Sequence, residues 1–291
     1  MIISTPTIQP LPNFFSGNPQ VDVLKLHEIH PVVSGNKWFK LRYYLDEAKT
    51  GGYDAIITRG GPYSNHLVAT AFAAKEAGLA SYGIVRGFQP QHLTITLQDA
   101  VSYGMQLHFT GTNKHSDESP IIATIPNALY IPEGGMGITG VKGAATILSE
   151  NNISHYTHII AATGTGTTVA GLTIAALPHQ KVIGISVLKN APAPLNEIAN
   201  WLQTMQHPHL PEILHFPYGG YAKLNNEVLQ TICACWEQEK LPLDFVYTGK
   251  LFTAVNELLH QKYFPKESHL LLVHSGGLQG NRSLPPNSLP F

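Results

Sequence analysis

Three short runs carry residue types that could do chemistry, and each stands where a strand-like run gives way to a helix-like one. The first, Ser34-Gly-Asn-Lys-Trp-Phe-Lys-Leu41, places Lys37 at the start of a predicted helix. The positive end of a helix dipole disfavours an ammonium there and favours the neutral amine, the form a lysine needs to condense with a carbonyl compound. Taken alone, the stretch reads more readily as a plain surface lysine beside a turn. The second, Gly60-Gly-Pro-Tyr-Ser-Asn-His66, lies between an apolar run and an alanine-rich one. Ser64 and Asn65 could cap a helix, whose free N–H groups could also hold a carboxylate. The third is Thr163-Gly-Thr-Gly-Thr-Thr-Val-Ala-Gly171. Its glycines would let an anion approach the backbone, and its N–H groups and hydroxyls could form a cup for it. The third glycine comes too late for a dinucleotide fingerprint, and the Gly-Lys-Ser/Thr ending of a nucleotide-triphosphate loop is missing. One phosphate suits it better than a nucleotide, with a bare glycine-rich turn as the alternative. Two weaker runs, Phe245-Val-Tyr-Thr-Gly-Lys250 and Leu272-Val-His-Ser-Gly-Gly-Leu-Gln279, present a hydroxyl before glycine and, taken alone, read as strand-end turns.

The elements that must position these runs alternate. Strands are predicted at 54–60, 81–87, 158–164, 181–187 and 269–276, each short, apolar on both faces and ending at or near glycine. Such runs are how strands of a parallel sheet read when helices cover both sides. Helical spacing falls over 39–49, 65–77, 166–176 and 227–238, and Gly78 is a good C-terminal cap for the second. Alternating strands and helices predict an α/β fold of the doubly wound kind, with ligands at strand ends. The polar stretch 149–157 is the best candidate linker, and the proline-rich tail 285–291 reads as extended surface chain.

The 291 residues are 43% apolar and 13% charged, which predicts a globular chain. A net charge of -1 and a pI of about 6.9 offer no basic field for a nucleic acid. No apolar run is long enough to span a membrane, and the first residues lack a secretory pattern. Cys233 and Cys235, adjacent but one on a helix, point away from each other and should not bridge, which fits a reducing, cytoplasmic setting. The fifteen histidines are scattered without a metal-ligand spacing, so no metal is expected.

Taken together, the runs carry a resemblance. SGNKWFKL, GGPYSNH, IPEGG (131–135), TGTGTTVAGL, GGYAK (219–223), VYTGK and HSGGLQG follow one another from about residue 30 to 280. In this order they resemble the 1-aminocyclopropane-1-carboxylate deaminase / D-cysteine desulfhydrase family of pyridoxal 5'-phosphate (PLP) enzymes, of fold type II. The resemblance implies two open, twisted parallel-sheet domains with PLP in the cleft between them. The larger would comprise residues 1–39 and 151–291, and the smaller 40–150. It implies that Lys37 bonds the cofactor and moves the Cα proton. Asn65 would meet the cofactor's phenolic oxygen, and Thr163, Gly164, Thr165, Gly166, Thr167 and Thr168 its phosphate. Thr248 and Ser275 would lie near the pyridine nitrogen. Ser64, Asn65 and His66 would face the substrate, with Tyr221 and Tyr247 as stacking or proton-transfer groups and Ser64 where the deaminase has a candidate nucleophile. It also implies a homodimer and a small amino-acid substrate.

The resemblance further bears on the reaction. Where the deaminases have a glutamate after the VY tyrosine, this chain has Thr248, the desulfhydrase-like pattern. A hydroxyl does not force the pyridine nitrogen to stay protonated, and the weaker electron sink still serves α,β-elimination from a substrate with a good leaving group. The expectation is release of pyruvate, ammonia and sulfide from D-cysteine. The alternatives are the deaminase itself, a serine dehydratase, a racemase, a PLP-binding protein without turnover, and a nucleotide-binding α/β domain. Two stretches depart from the family: Leu24-Lys-Leu-His-Glu-Ile29, where an arginine and two acidic residues are common, and Phe39, where a basic residue is common.

Overall fold

The computed structural model describes all residues except 18, 112–116, 189–194 and 221. The chain opens with strands β1 (Thr7–Pro10) and β2 (Gln20–Lys25), followed by helix α1 (Asn36–Thr50). There follow β3 (Ala55–Gly60), α2 (Asn65–Ala77), β4 (Ala80–Val85), α3 (Ile95–Ser102), β5 (Met105–Phe109), α4 (Ser119–Ala123) and β6 (Ala128–Ile131). Helix α5 (Ile138–Ala144) leads on to β7 (His158–Thr163), α6 (Thr167–Ala175), β8 (Lys181–Ser186), α7 (Leu195–Thr204) and β9 (Glu212–His215). Helices α8 (Asn226–Glu239) and α9 (Thr248–His260) precede the last strand, β10 (His269–His274).

The strands form two sheets. One has the order β1-β2-β10-β7-β8-β9, parallel except that β1 runs antiparallel to β2. The other, β5-β4-β3-β6, is all parallel. The expected α/β class and the pair of parallel sheets flanked by helices are therefore present. In β7 and β10, Ile160, Ala162, Leu270 and Leu272 enter one core, while Ile159, Ala161, Leu271 and Val273 enter another on the opposite face. Burial on both faces is why these strands read as continuous apolar runs rather than alternating ones.

Helix α5 joins the two halves of the architecture. It follows the smaller sheet, yet Val141 and Ala144 pack in a core shared with α1, α6 and the larger sheet. Glycines allow this: a Cβ on Gly143 would stand 1.9 Å from the Phe39 carbonyl oxygen, and one on Gly171 of α6 would stand 2.4 Å from the Ala144 Cβ.

Local chemistry sets the helix ends. Gly78 closes α2 at φ 72°, and Asn225 caps α8 by accepting from the Val228 N–H at 2.8 Å. Three expectations are corrected. Helix α1 starts at Asn36, ahead of the 39–49 spacing, and Lys37 stands on its first turn as expected. Phe245–Tyr247 is a turn that feeds α9 directly, with no strand before it. The tail folds back: Leu284 and Leu289 pack on the core, and the Phe291 ring lies 5.1 Å from that of Trp236. Cys233 and Cys235 are unbridged, the latter buried.

Candidate active site

The C-terminal ends of β3, β7 and β10 deliver the glycine-rich runs to one cavity of about 630 Å³. Parallel strands all point their C-terminal ends one way, so loops far apart in the chain converge there. Lys37, Ser64, Asn65, His66, Thr163, Gly164, Thr165, Gly166, Thr168, Tyr247 and Ser275 all line it. Tyr221 falls outside the described residues. Thr167 and Thr248 are fully buried and absent from the lining.

Lys37 enters on the first turn of α1. Gly35, at φ +68°, lets that turn press against β10's end: the Asn36 N–H donates to the Ser275 carbonyl at 3.0 Å. The Lys37 amine donates to Asn36 Oδ1 at 2.8 Å, and Asn36 Nδ2 in turn donates to Thr168 Oγ1 at 2.8 Å. Lys37 is half-buried and lines the cavity. Protein encloses it closely enough that burial lowers its pKa to about 8, with the charge of Asp244 opposing part of the shift.

One turn along, Lys40 lies on the same helical face and also reaches the cavity, donating to the Gly134 carbonyl at 3.1 Å. Its pKa is held well below the ordinary lysine value, first by burial and then by the charge of Lys37. The motifs assigned Lys40 no role, although its i+3 spacing from Lys37 was the signal. They assigned none to Arg86 and Glu133 at the cavity wall either. Glu133 accepts from Arg86 at 2.9 Å and lies 3.6 Å from Arg59, while Arg59 pairs with Glu118 at 3.0 Å. No local motif announces that chain of charges.

Ser64 is the N-cap residue of α2, but its side chain makes no capping bond. The capping expectation is corrected, and the hydroxyl is left facing the cavity. His66 is buried, with Nε2 at 2.9 Å from Thr58 Oγ1. The Thr58 hydroxyl already donates its one proton to the Ile131 carbonyl at 2.8 Å. Nε2 must therefore carry the imidazole hydrogen, and Nδ1 is left as a lone-pair acceptor. Burial, then Lys37 and Lys40, push its pKa well below the ordinary histidine value, so the ring is neutral.

The 163–168 loop lies against Tyr247, whose hydroxyl would be 3.4 Å from a Cβ on Gly164. Gly166, at φ 84°, opens α6. The Thr165 and Thr167 hydroxyls bond each other at 3.1 Å. Thr167 thus braces the cup from behind. Thr248, the residue expected near the cofactor's nitrogen, donates its hydroxyl to Asp244 at 2.6 Å. Asp244 is fully buried and also accepts the N–H groups of Val246, Tyr247 and Thr248 at 2.8–2.9 Å. Starting α9 at Thr248 turns that side chain inward onto the cap, while its neighbour Tyr247 faces the cavity.

The relatives of this chain agree with its geometry. The pyridoxal-phosphate dependent enzyme family matches residues 2–276. A proposed 1-aminocyclopropane-1-carboxylate deaminase of Pyrococcus horikoshii is 26% identical over 267 residues, covering 85% of this chain and 81% of the relative. Its counterpart in Pyrococcus abyssi is 28% identical over 273 residues, with the same coverage. The crystal structure of a 1-aminocyclopropane-1-carboxylate deaminase homologue superposes with a TM-score of 0.84 at 26% identity, covering 96% of this chain and 91% of that one.

The residues present fit the cofactor of that family. A buried amine with a lowered pKa suits an aldehyde, and the glycine–threonine loop suits a phosphate. Between them, Asn65 Oδ1 and Thr163 Oγ1 are buried without a hydrogen-bond partner among the described residues. Orphaned buried polar atoms are costly, and a polar aromatic ligand in this cavity would give them partners. By the match over nearly its whole length and the fit of its cavity, the chain belongs to the family of pyridoxal-phosphate dependent enzymes and has PLP as its cofactor.

Proposed function

We propose that the protein is a PLP-dependent lyase that eliminates the β-substituent of a small amino acid, in the manner of a D-cysteine desulfhydrase. The observation that carries the reading is the position of Thr248. The residue stands where the resemblance gives deaminases a glutamate, and its hydroxyl is committed to Asp244. The Ser275 hydroxyl is the neutral group at the end of β10 that lines the cavity.

Bound PLP supplies an electron sink for the charge left on a substrate's Cα. The chain's own residues do the rest. Lys37 would hold the cofactor through its ε-amine, and that amine, when free, would take the proton from Cα. Asn36 orients that amine. Ser64 and the opening N–H groups of α2 bind the carboxylate, and Tyr247 and the 163–168 loop close the opposite wall. Neutral His66 offers Nδ1 to a hydrogen-bond donor. Lys40, its pKa lowered by burial and by the charge of Lys37, donates to the Gly134 carbonyl beside the site. The leaving group departs from Cβ, and the remaining enamine hydrolyses to pyruvate and ammonia.

A second reading, 1-aminocyclopropane-1-carboxylate deaminase, is favoured by the names of the Pyrococcus relatives. Holoenzyme is to be offered D- and L-cysteine, D- and L-serine and aminocyclopropanecarboxylate in turn. Sulfide with pyruvate from D-cysteine is the expected result. 2-Oxobutyrate from aminocyclopropanecarboxylate without sulfide would replace the reading by the second. Pyruvate from serine alone would mark a dehydratase, an inverted amino acid a racemase, and no product a binding protein.

A further inference from the structure

The end of the larger sheet remote from the cavity brings together Asp22 of β2, His155 of the segment before β7 and His269 at the start of β10, their ligand atoms within 4.8 Å of one another. We infer that these three residues form a binding site for one zinc-class divalent ion.

The sheet register explains the juxtaposition. β10 pairs with β2 so that His269 stands opposite Gln20, and Asp22, two residues on, projects from the same face. His269 Nε2 lies 3.2 Å from Asp22 Oδ2. The Tyr156 hydroxyl donates to that same oxygen at 2.7 Å, and among the described residues Oδ1 takes no hydrogen bond. Tyr156 is almost wholly buried, so the carboxylate is held from behind rather than left free. The His155 ring then closes over the pair, with centroids 4.8 Å from His269 and 4.1 Å from Tyr156.

An ion pair alone would account for Asp22 and His269. It does not account for a second imidazole set beside the first, its ring centroid 4.8 Å away. Two neutral imidazoles and a carboxylate instead make a donor set suited to zinc and its neighbours. Two nitrogens and few oxygens suit calcium and magnesium poorly. Tetrahedral zinc with bonds of about 2.0–2.1 Å places its donors about 3.4 Å apart, and the exposed His155 side chain is free to close the remaining gap. The Tyr156 hydroxyl would orient the carboxylate, as outer hydrogen bonds do at metal sites. The ligands belong to three separate segments, so the ion would tie the β7 approach to β2 and β10. The histidines show no metal spacing along the chain because the spacing exists only across the sheet.

The test uses untagged holoenzyme stripped with chelator, with Zn²⁺ alone as titrant in calorimetry and Co²⁺ alone as a spectroscopic probe. One Zn²⁺ per chain, a d–d absorption band with Co²⁺ and a higher Tm with Zn²⁺ are expected. His155→Ala, at an exposed position that leaves the fold intact, should lose at least tenfold in affinity. Tyr156→Phe should lose roughly tenfold. The control His207→Ala/His209→Ala, at a histidine pair elsewhere, should bind like wild type. No zinc uptake by wild type, or equal uptake by wild type and His155→Ala, would overturn the inference.

Discussion

The Lys37 amine donates to Asn36 Oδ1 at 2.8 Å, so two consecutive residues on the first turn of α1 are tied side chain to side chain. Asn36 also reaches Thr168 in the phosphate-type loop, so one buried amide spans the cavity floor. Lys37→Ala should abolish covalent cofactor attachment. Its visible absorption, unlike that of wild type, should not be fixed by borohydride, and turnover should fall by about 10²–10⁴-fold, the scale of a lost proton-transfer group. Asn36→Ala should weaken PLP binding about tenfold, equivalent to one buried hydrogen bond of roughly 1.4 kcal/mol. Equilibrium titration of the cofactor-free chain with PLP checks this.

Capture of PLP needs a neutral amine. With Lys37 lowered to about 8, the capture rate should climb about tenfold per pH unit below 8 and level off above it. An ordinary lysine would keep climbing to beyond about pH 10. The same shift makes the cofactor-free fold more stable as pH rises from about 8 to 10.5. In that window the unfolded chain binds a proton that the folded chain does not. Lys40 and Lys250, also lowered by burial, act in the same sense. Urea midpoints of the cofactor-free chain at about pH 7.5 and pH 9.5 should show the gain, and Lys37→Met should reduce it.

Asp244 ties together the turn that aims Tyr247. Asp244→Ala strands three N–H groups at the start of α9 and should cost about 3 kcal/mol or more. Asp244→Asn should cost less, and it removes the charge that raises the Lys37 pKa. The midpoint of the capture profile should therefore move to lower pH in that variant. An unmoved midpoint would show that Asp244 acts on α9 alone.

Gly35 and Gly52 share a positive φ but differ in surroundings. A Cβ at Gly35 would stand 2.1 Å from the Ser275 carbonyl oxygen, whereas one at Gly52 meets nothing within 4 Å. Gly35→Ala should cost about 3–5 kcal/mol, combining backbone strain and overpacking, and Gly52→Ala only about 1 kcal/mol. Urea denaturation of both variants separates contact from conformation.

The order of amino acids by itself determined a good part of this protein. Strands buried on both faces write continuous apolar runs, glycine and asparagine punctuate helix ends, and parallel strands send the loops after them to one side. These are short-range signals, and they carried the α/β class, the parallel sheets and the runs that meet at the cavity. The rest depends on partners distant in the chain. The tautomer of His66 follows from Thr58 and Ile131, and the inward turn of Thr248 follows from the Asp244 cap. The docking of α1 on the Ser275 carbonyl joins the two ends of the chain. Asp22 and His269, 247 positions apart, meet because β10 inserts between β2 and β7. Sequence patterns record which way a residue faces along its own element. Which atoms it then meets is settled by strand order and register, which come from packing the whole chain at once.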